Sequence, residues 1–385
     1  MQGSKIGIIT IVRVNNYGAE LQAYATQEAL RKMGYDAEII DYLFYKNKDH
    51  KSTHASRPVF HMPLKKRLAE WLFPKREWLK SLIQKSNFAS VREERFIRFH
   101  RDNTHFSQTY CSYDELLNVK LTYDAYIVGS DQVWNPGVYS SLDPYFLKFA
   151  PKGKKKISYA SSIGVSSLPE YTHAYYNEAL NGLDAISVRE ENAVGLVKNV
   201  SGRDAQWVLD PTLLLNADEW QHVARQEKGI PEKYILLYEL TPCPFLKTLA
   251  KHIADMKGYK VVRINKDSNR VEADDDIINV MDAGPAEFLG LFKNADFIVT
   301  NSFHGTAFSI NFNKPFYVVT PARKANNSRQ QSILRLFELS DRLLLENSTL
   351  PTEKMLDVNY DRANEILAQQ RDLSKNFLKE NIDGE

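Results

Sequence analysis

The chain has 385 residues, 43% of them hydrophobic and 25% charged, and its 50 Lys and Arg nearly balance its 48 Asp and Glu for a net charge of +2. That length exceeds one ordinary core and predicts two domains of about 100 to 200 residues each, while the charge balance removes the electrostatic reason to expect a nucleic-acid partner. Two cysteines, Cys111 and Cys243, imply neither a disulfide framework nor a cysteine-based metal site. The apolar start "IGIITIV" is too short for a signal-peptide core, and no later run approaches the roughly 20 apolar residues of a membrane span. The expectation is a soluble, reduced, cytoplasmic protein.

In chain order, "KIGIITIV" reads as a strand, "RVNNYGAE" as a loop and "LQAYATQEALRKMGY" as a helix. The same order recurs through "AEIIDY", "YDAYIVGSDQVWNP", "KKISYASSIG" and "LDAISVREENAVGLVKN", and "AQWVLDPTLLL" closes the series near residue 213. Buried strands alternating with helices predict an α/β fold with a parallel sheet covered on both faces. The series restarts with "KYILLYEL", "PFLKTLAKHIADMKG", "YKVVRIN", "PAEFLGLFKNA", "DFIVTNS" and "KPFYVVT", which predicts a second α/β sheet. The expected domains are 1–215 and 216–385, with the boundary in a segment where an Asn-capped short helix meets a Gly/Pro break. Residues 357–380 read as a terminal helix that can pack back across either domain, the N-terminal one included.

Between residues 45 and 120 the sequence shows no strong strand, which predicts a helical insertion in the N-terminal domain. Its basic, Trp-bearing part, residues 64–101, has two readings. One is a helical cap with a solvated basic face. The other is a face that meets an anionic or lipid-linked acceptor at a membrane surface.

In open parallel sheets, ligands bind outside the carboxyl ends of the strands, and the polar residues of this chain gather there. They are Asn15, Asn16, Tyr17 and Gly18; Gly129, Ser130, Asp131 and Gln132; Ser161 and Ser162; Arg189; and Asn301, Ser302, His304 and Gly305. Two such edges facing each other form a cleft. His304 sits between a strand and a predicted helix opening at Gly305, where free amides favour an anion. Its imidazole can donate a proton or only cap a turn. Arg189 stands beside a helix start, which disfavours a cation. It reads either as a fork for a carboxylate or phosphate, or as a structural ion pair with Glu190, Glu191 or Asp184. Asp131 is a candidate base or sugar contact, or a helix cap. Asp210, before a proline, reads as a turn former.

Taken together and in order, "RVNNYGAELQAYA", "YDAYIVGSDQVWNP", "KKISYASSIG", "ISVREENA", "VLDPTLLL" and "NADFIVTNSFHGTAFSINFNKPF" resemble the polysaccharide pyruvyl transferases, over about residues 5–340. The resemblance implies two Rossmann-like domains facing across a cleft, similar to the GT-B glycosyltransferases. It implies phosphoenolpyruvate as donor and a sugar of a cell-surface glycan or exopolysaccharide as acceptor, the product being a pyruvate ketal; with no His-Glu-x-x-His or paired-Cys cluster at metal spacing, neither a metal nor a separate cofactor is expected. His304 and Arg189 match the family's cleft histidine and the arginine after its strand. Some members carry an arginine two residues before the histidine, where this chain has Ser302; Arg329, preceding a helix, is the charge that would replace it. On this reading His304, Arg189 and Asp131 are catalytic. Ser302, Gly305 and Arg329 join His304 and Arg189 around the donor, and Asn15, Asn16, Tyr17 and Gln132 line the acceptor side. The rival expectations are a nucleotide-sugar glycosyltransferase of the same fold and a non-catalytic glycan-binding protein.

Overall fold

The computed structural model describes residues 3–47, 87–137, 141–265, 276–322 and 328–384. Two parallel sheets organise them. The first contains β1 (Lys5–Ile9), β2 (Asp36–Tyr42), β3 (Phe106–Tyr110), β4 (Ala125–Val128), β5 (Lys155–Ser161), β6 (Ala185–Val188) and β7 (Gln206–Trp207), in the order β3-β2-β1-β4-β5-β6-β7. The second contains β8 (Tyr234–Tyr238), β9 (Lys260–Ile264), β10 (Ile277–Val280), β11 (Phe297–Thr300), β12 (Phe316–Thr320) and β13 (Leu343–Leu345), in the order β10-β9-β8-β11-β12-β13. Each order runs outward from its first strand and then reverses, the doubly wound pattern whose crevice lies at the reversal. The reversals fall between β1 and β4 and between β8 and β11.

The central strands are fully buried along their length, as the runs "AYIV", "AISV", "YILLY", "FIVT" and "FYVVT" require. The edges differ. β3 lies inside the stretch expected to lack a strand: "FSQTY" is polar and mostly open to solvent, so its pairing with β2 left no hydrophobic pattern to read. β10, of four residues, and β13, of three, are short edge strands that the sequence pattern does not announce. The short helix Ala217–Gln221 carries a full capping box, in which the Asn216 side chain accepts from the Glu219 amide and Glu219 accepts from the Asn216 amide.

A single apolar cluster crosses from one sheet to the other. Tyr17, in helix α1 (Tyr17–Lys32), stacks on Phe288 with ring centroids 4.6 Å apart, and Trp220 lies between Tyr24 and Phe308 at 5.5 and 5.2 Å. Helix α2 (Asn87–Asn103) adds a polar staple. Arg92, Arg95 and Arg98 recur every three residues along one face and reach the other half at the Asn265 carbonyl, Glu227 and Glu287 respectively. The described end of the basic segment therefore commits these cations to the protein itself rather than to a membrane surface, and residues 64–86 lie outside the described residues. Among the described residues, no helix is long and apolar enough to cross a membrane.

Helix α3 (Phe303–Asn311) follows β11, helix α4 (Ser328–Leu336) follows β12, and helix α5 (Asp361–Lys379) ends the chain. The last returns to the N-terminal half, where Ser374 accepts a hydrogen bond from the Leu209 amide and Lys155 donates to the Ile382 carbonyl just beyond it.

Candidate active site

The loops at the two reversals face one another around a cavity of about 240 Å³. From the first sheet come Asn16 after β1 and Asp131 and Gln132 after β4; from the second come Leu240 and Thr241 after β8, and Asn301, Ser302, Phe303 and His304 after β11. Thr320 at the end of β12 and Arg329 at the start of α4 close the far side. A larger hollow beside Glu227 and Tyr234, about 430 Å³, lies away from these strand ends.

Each cavity residue is set by local chemistry. Asn16 caps α1, its side-chain oxygen accepting from the Gly18 and Ala19 amides. Gly18 leaves room for His304, since a Cβ there would stand 2.0 Å from the imidazole Nδ1. Asp131 has φ 69°, a left-handed conformation that Asp tolerates better than most residues. Its carbonyl accepts from the amides of Val133 and Ser162, which pins the turn. Helix α3 opens at Phe303, two residues before the expected start, because Ser302 is its cap. The Ser302 hydroxyl accepts from the Gly305 amide at 3.1 Å, so that amide is closed rather than free for an anion. His304 thus sits in the first turn with its ring toward the cavity.

Other expected residues lie elsewhere. Asn15 is exposed and Tyr17 is buried in the contact between the halves, its hydroxyl donating to the Ala283 carbonyl at 2.8 Å. Gln132 lines the cavity, its side-chain oxygen held by Asn135 at 2.6 Å.

Arg189 is 4% exposed and lies behind Phe303, with its guanidinium 4.4 Å from the centre of that ring. It does not line the cavity. Nη1 donates to Asp210 at 2.9 Å and Nε to Glu190 at 3.3 Å, so two protein carboxylates occupy the fork read as a ligand clamp. Of the partners expected for a structural pair, Glu190 is present, and Asp210 stands where Glu191 or Asp184 was expected. Burial opposes the arginine's charge, but Glu190 and Asp210 outweigh it and raise its pKa above the ordinary value.

The sequence marks Asp210 as a turn former and Glu190 as an ion-pair partner, not as parts of the site. The turn signal in "VLDPT" is real: Oδ1 of Asp210 accepts from the Thr212 amide at 2.9 Å and hydroxyl at 2.7 Å. Oδ2, however, takes Arg189 and the Ser130 hydroxyl, the latter at 3.0 Å. Burial works against this carboxylate, yet His304 beside it, Arg189 and Thr212 together hold its pKa far below the usual range. Glu190 is also buried and accepts from Ser162.

Arg329 has the opposite surroundings. It lines the cavity, is largely enclosed, and has no carboxylate within ion-pair distance among the described residues. Burial, then the nearby Arg189, lower its pKa, so its charge is costly until an anion arrives. The cavity can therefore take an anion at Arg329 and present it to an imidazole and a carboxylate, His304 and Asp131. Among the described residues, no group of three or more His, Cys, Asp or Glu side chains is placed to hold a metal ion.

Solved structures of similar shape include a UDP-GlcNAc 2-epimerase from Methanocaldococcus jannaschii, 13% identical, with 97% of this chain and 93% of that chain covered and a TM-score of 0.47. MurG from Acinetobacter baumannii is 9% identical, with 100% of each chain covered and a TM-score of 0.41. No curated protein matches the chain. The family model described as polysaccharide pyruvyl transferase matches residues 16–323, which span the strand-end loops of both sheets. The chain belongs to the polysaccharide pyruvyl transferase family and is a transferase.

Proposed function

We propose that this transferase moves the pyruvyl group of phosphoenolpyruvate onto two hydroxyls of a glycan sugar, forming a ketal and releasing phosphate. The observation that carries this reading is Arg329, an enclosed cation without an ion-pair partner among the described residues, on the same cavity as His304 and Asp131. Phosphoenolpyruvate brings a carboxylate and a phosphate on one small frame, which suits a site with a buried guanidinium and a proton donor. His304 gives a proton to the methylene carbon, and the adjacent carbon becomes electron-poor. A sugar hydroxyl attacks it while Asp131 takes the hydroxyl proton. The carbon–oxygen bond to phosphate then breaks, and a second hydroxyl closes the ketal, its proton returning to the now neutral His304. Arg189 acts one layer back, holding Asp210 and Glu190 and the Phe303 ring in place. No separate cofactor enters this scheme, because the donor itself supplies the group and the leaving anion.

The test is incubation with phosphoenolpyruvate and a panel of nitrophenyl and lipid-linked glycosides, with and without EDTA, followed by phosphate release and product mass. The expected result is stoichiometric phosphate and a product heavier by one pyruvyl ketal, with EDTA making no difference. Thermal stabilisation by uridine diphosphate, with none by phosphoenolpyruvate, would favour nucleotide-sugar transfer instead.

A further inference from the structure

Asp210 belongs to the N-terminal half and His304 to the C-terminal half, yet Oδ2 of Asp210 is 3.7 Å from Nε2 of His304. The two halves are tied together at this point. Asn311, at the far end of α3, donates to the carbonyls of Thr212 and Leu215 at 2.9 and 2.8 Å, and Arg371 of α5 donates to the Leu213 carbonyl at 2.7 Å and to Asn311 at 3.0 Å. The segment that carries Asp210 and the helix that carries His304 are thus packed together, tied by hydrogen bonds at the Asn311 end of the helix.

The surroundings of the ring are asymmetric. Nε2 is buried and makes no hydrogen bond, while the His304 side chain keeps 12% exposure, so its access to the cavity comes through other ring atoms. Nδ1 lies over Gly18, whose missing side chain leaves the space. Asp210 is fully enclosed, with four donors fixing both oxygens. Arg189 faces Glu190 as well as Asp210, so the buried trio keeps one net negative charge, which a protonated His304 neutralises. A separation of 3.7 Å is longer than a hydrogen bond. It is nonetheless a range in which an enclosed carboxylate biases the nearer nitrogen toward carrying the proton.

We propose that Asp210 is the positioning residue of His304: its carboxylate, supplied by the opposite half, keeps a proton on Nε2 and leaves Nδ1 as the nitrogen that gives a proton to the ligand. This rests on His304 being the proton donor of the proposed transfer, though not on the identity of the donor substrate. The logic is that of a carboxylate fixing the tautomer and aim of a catalytic imidazole.

The direct test is the long-range nitrogen–proton NMR spectrum of histidine-labelled wild-type protein at a pH about two units above the ordinary imidazole value, with His304 assigned by comparison with His304→Gln. The expected neutral form is the Nε2–H tautomer; an Nδ1–H tautomer overturns the proposal, and neither reading needs Asp210 to be altered. In Asp210→Asn, kcat for phosphate release should fall about 100-fold, while KM for phosphoenolpyruvate stays within about threefold because Arg329 does not contact Asp210. A folded Asp210→Asn protein with wild-type kcat also overturns it. If the wild-type protein never turns over phosphoenolpyruvate, the tautomer still decides the role of Asp210, and only the pyruvyl reading falls.

Discussion

The Phe303 ring divides the charged centre into two regions that use the same residue types in different ways. Behind it, Arg189 is enclosed with Asp210 and Glu190 at 2.9 and 3.3 Å, and each charge there has an opposite one beside it. In front of it, Arg329 is enclosed on a cavity with no carboxylate in ion-pair range among the described residues. Arg189 is buried and paired directly with carboxylates, whereas Arg329 is only partly exposed and has only the longer-range charges of Glu190 and Asp131 in its favour. An enclosed charge that the fold satisfies organises structure, whereas one that it leaves unsatisfied points to a ligand. On the proposed function, chemistry belongs to the front region and support to the rear.

Breaking the front region should have the largest effect. His304→Ala removes the proposed proton donor from the cavity and should lower phosphate release by at least about 100-fold, the scale of general acid catalysis, with an unchanged circular dichroism spectrum. Near-normal release from the folded variant would return His304 to a capping role. Gly18→Ala is subtler, because it touches His304 only by shape. A Cβ placed 2.0 Å from Nδ1 must displace the ring or helix α1, and a misaimed donor should cost about tenfold to 100-fold in kcat. Unaltered kcat would show that the ring's position against α1 is not required.

The rear region should answer differently. Arg189→Lys keeps a charge but cannot reach both carboxylates as a planar fork does. It should lose about 1 to 3 kcal/mol of stability, seen in urea unfolding, while affinity for phosphoenolpyruvate stays within about threefold. A much weaker donor affinity at normal stability would move Arg189 to the front. The smallest effect concerns the contact between the halves. Burial pushes the Tyr17 hydroxyl up to about 12, so the folded state favours the neutral phenol. Stability from this group is complete below pH about 10, the ordinary phenol value, and is lost as pH rises toward the folded value. Tyr17→Phe should lose about 1 kcal/mol at neutral pH, the worth of one hydrogen bond. It should also show a shallower stability loss above pH about 10 than the wild type. An identical alkaline slope in both proteins would show that Tyr17 is not the titrating group.

How much of this was legible in the sequence follows the same division. The central strands were readable because each is a continuous apolar run, whereas β3 was not, since "FSQTY" is a polar edge held only by its pairing with β2. In the front region, His304 and Asp131 were found by strand-end logic, which needs only local order, and Arg329 came from the family resemblance. The rear region needed a distance that sequence does not show. Arg189 and Asp210 are 21 positions apart, separated by the helix Glu191–Ser201 and β7, and meet only through that crossover. The turn signal at Asp210 was true of one carboxylate oxygen and silent about the other.

On the proposed function, Arg329 holds the anionic donor. This is tested most directly by calorimetric titration of phosphoenolpyruvate into wild-type protein and Arg329→Met. Binding in the variant should be at least about tenfold weaker, the loss of one charge-assisted contact, with stability close to wild type because no ion pair among the described residues is lost. Wild-type affinity in a folded Arg329→Met protein would contradict it.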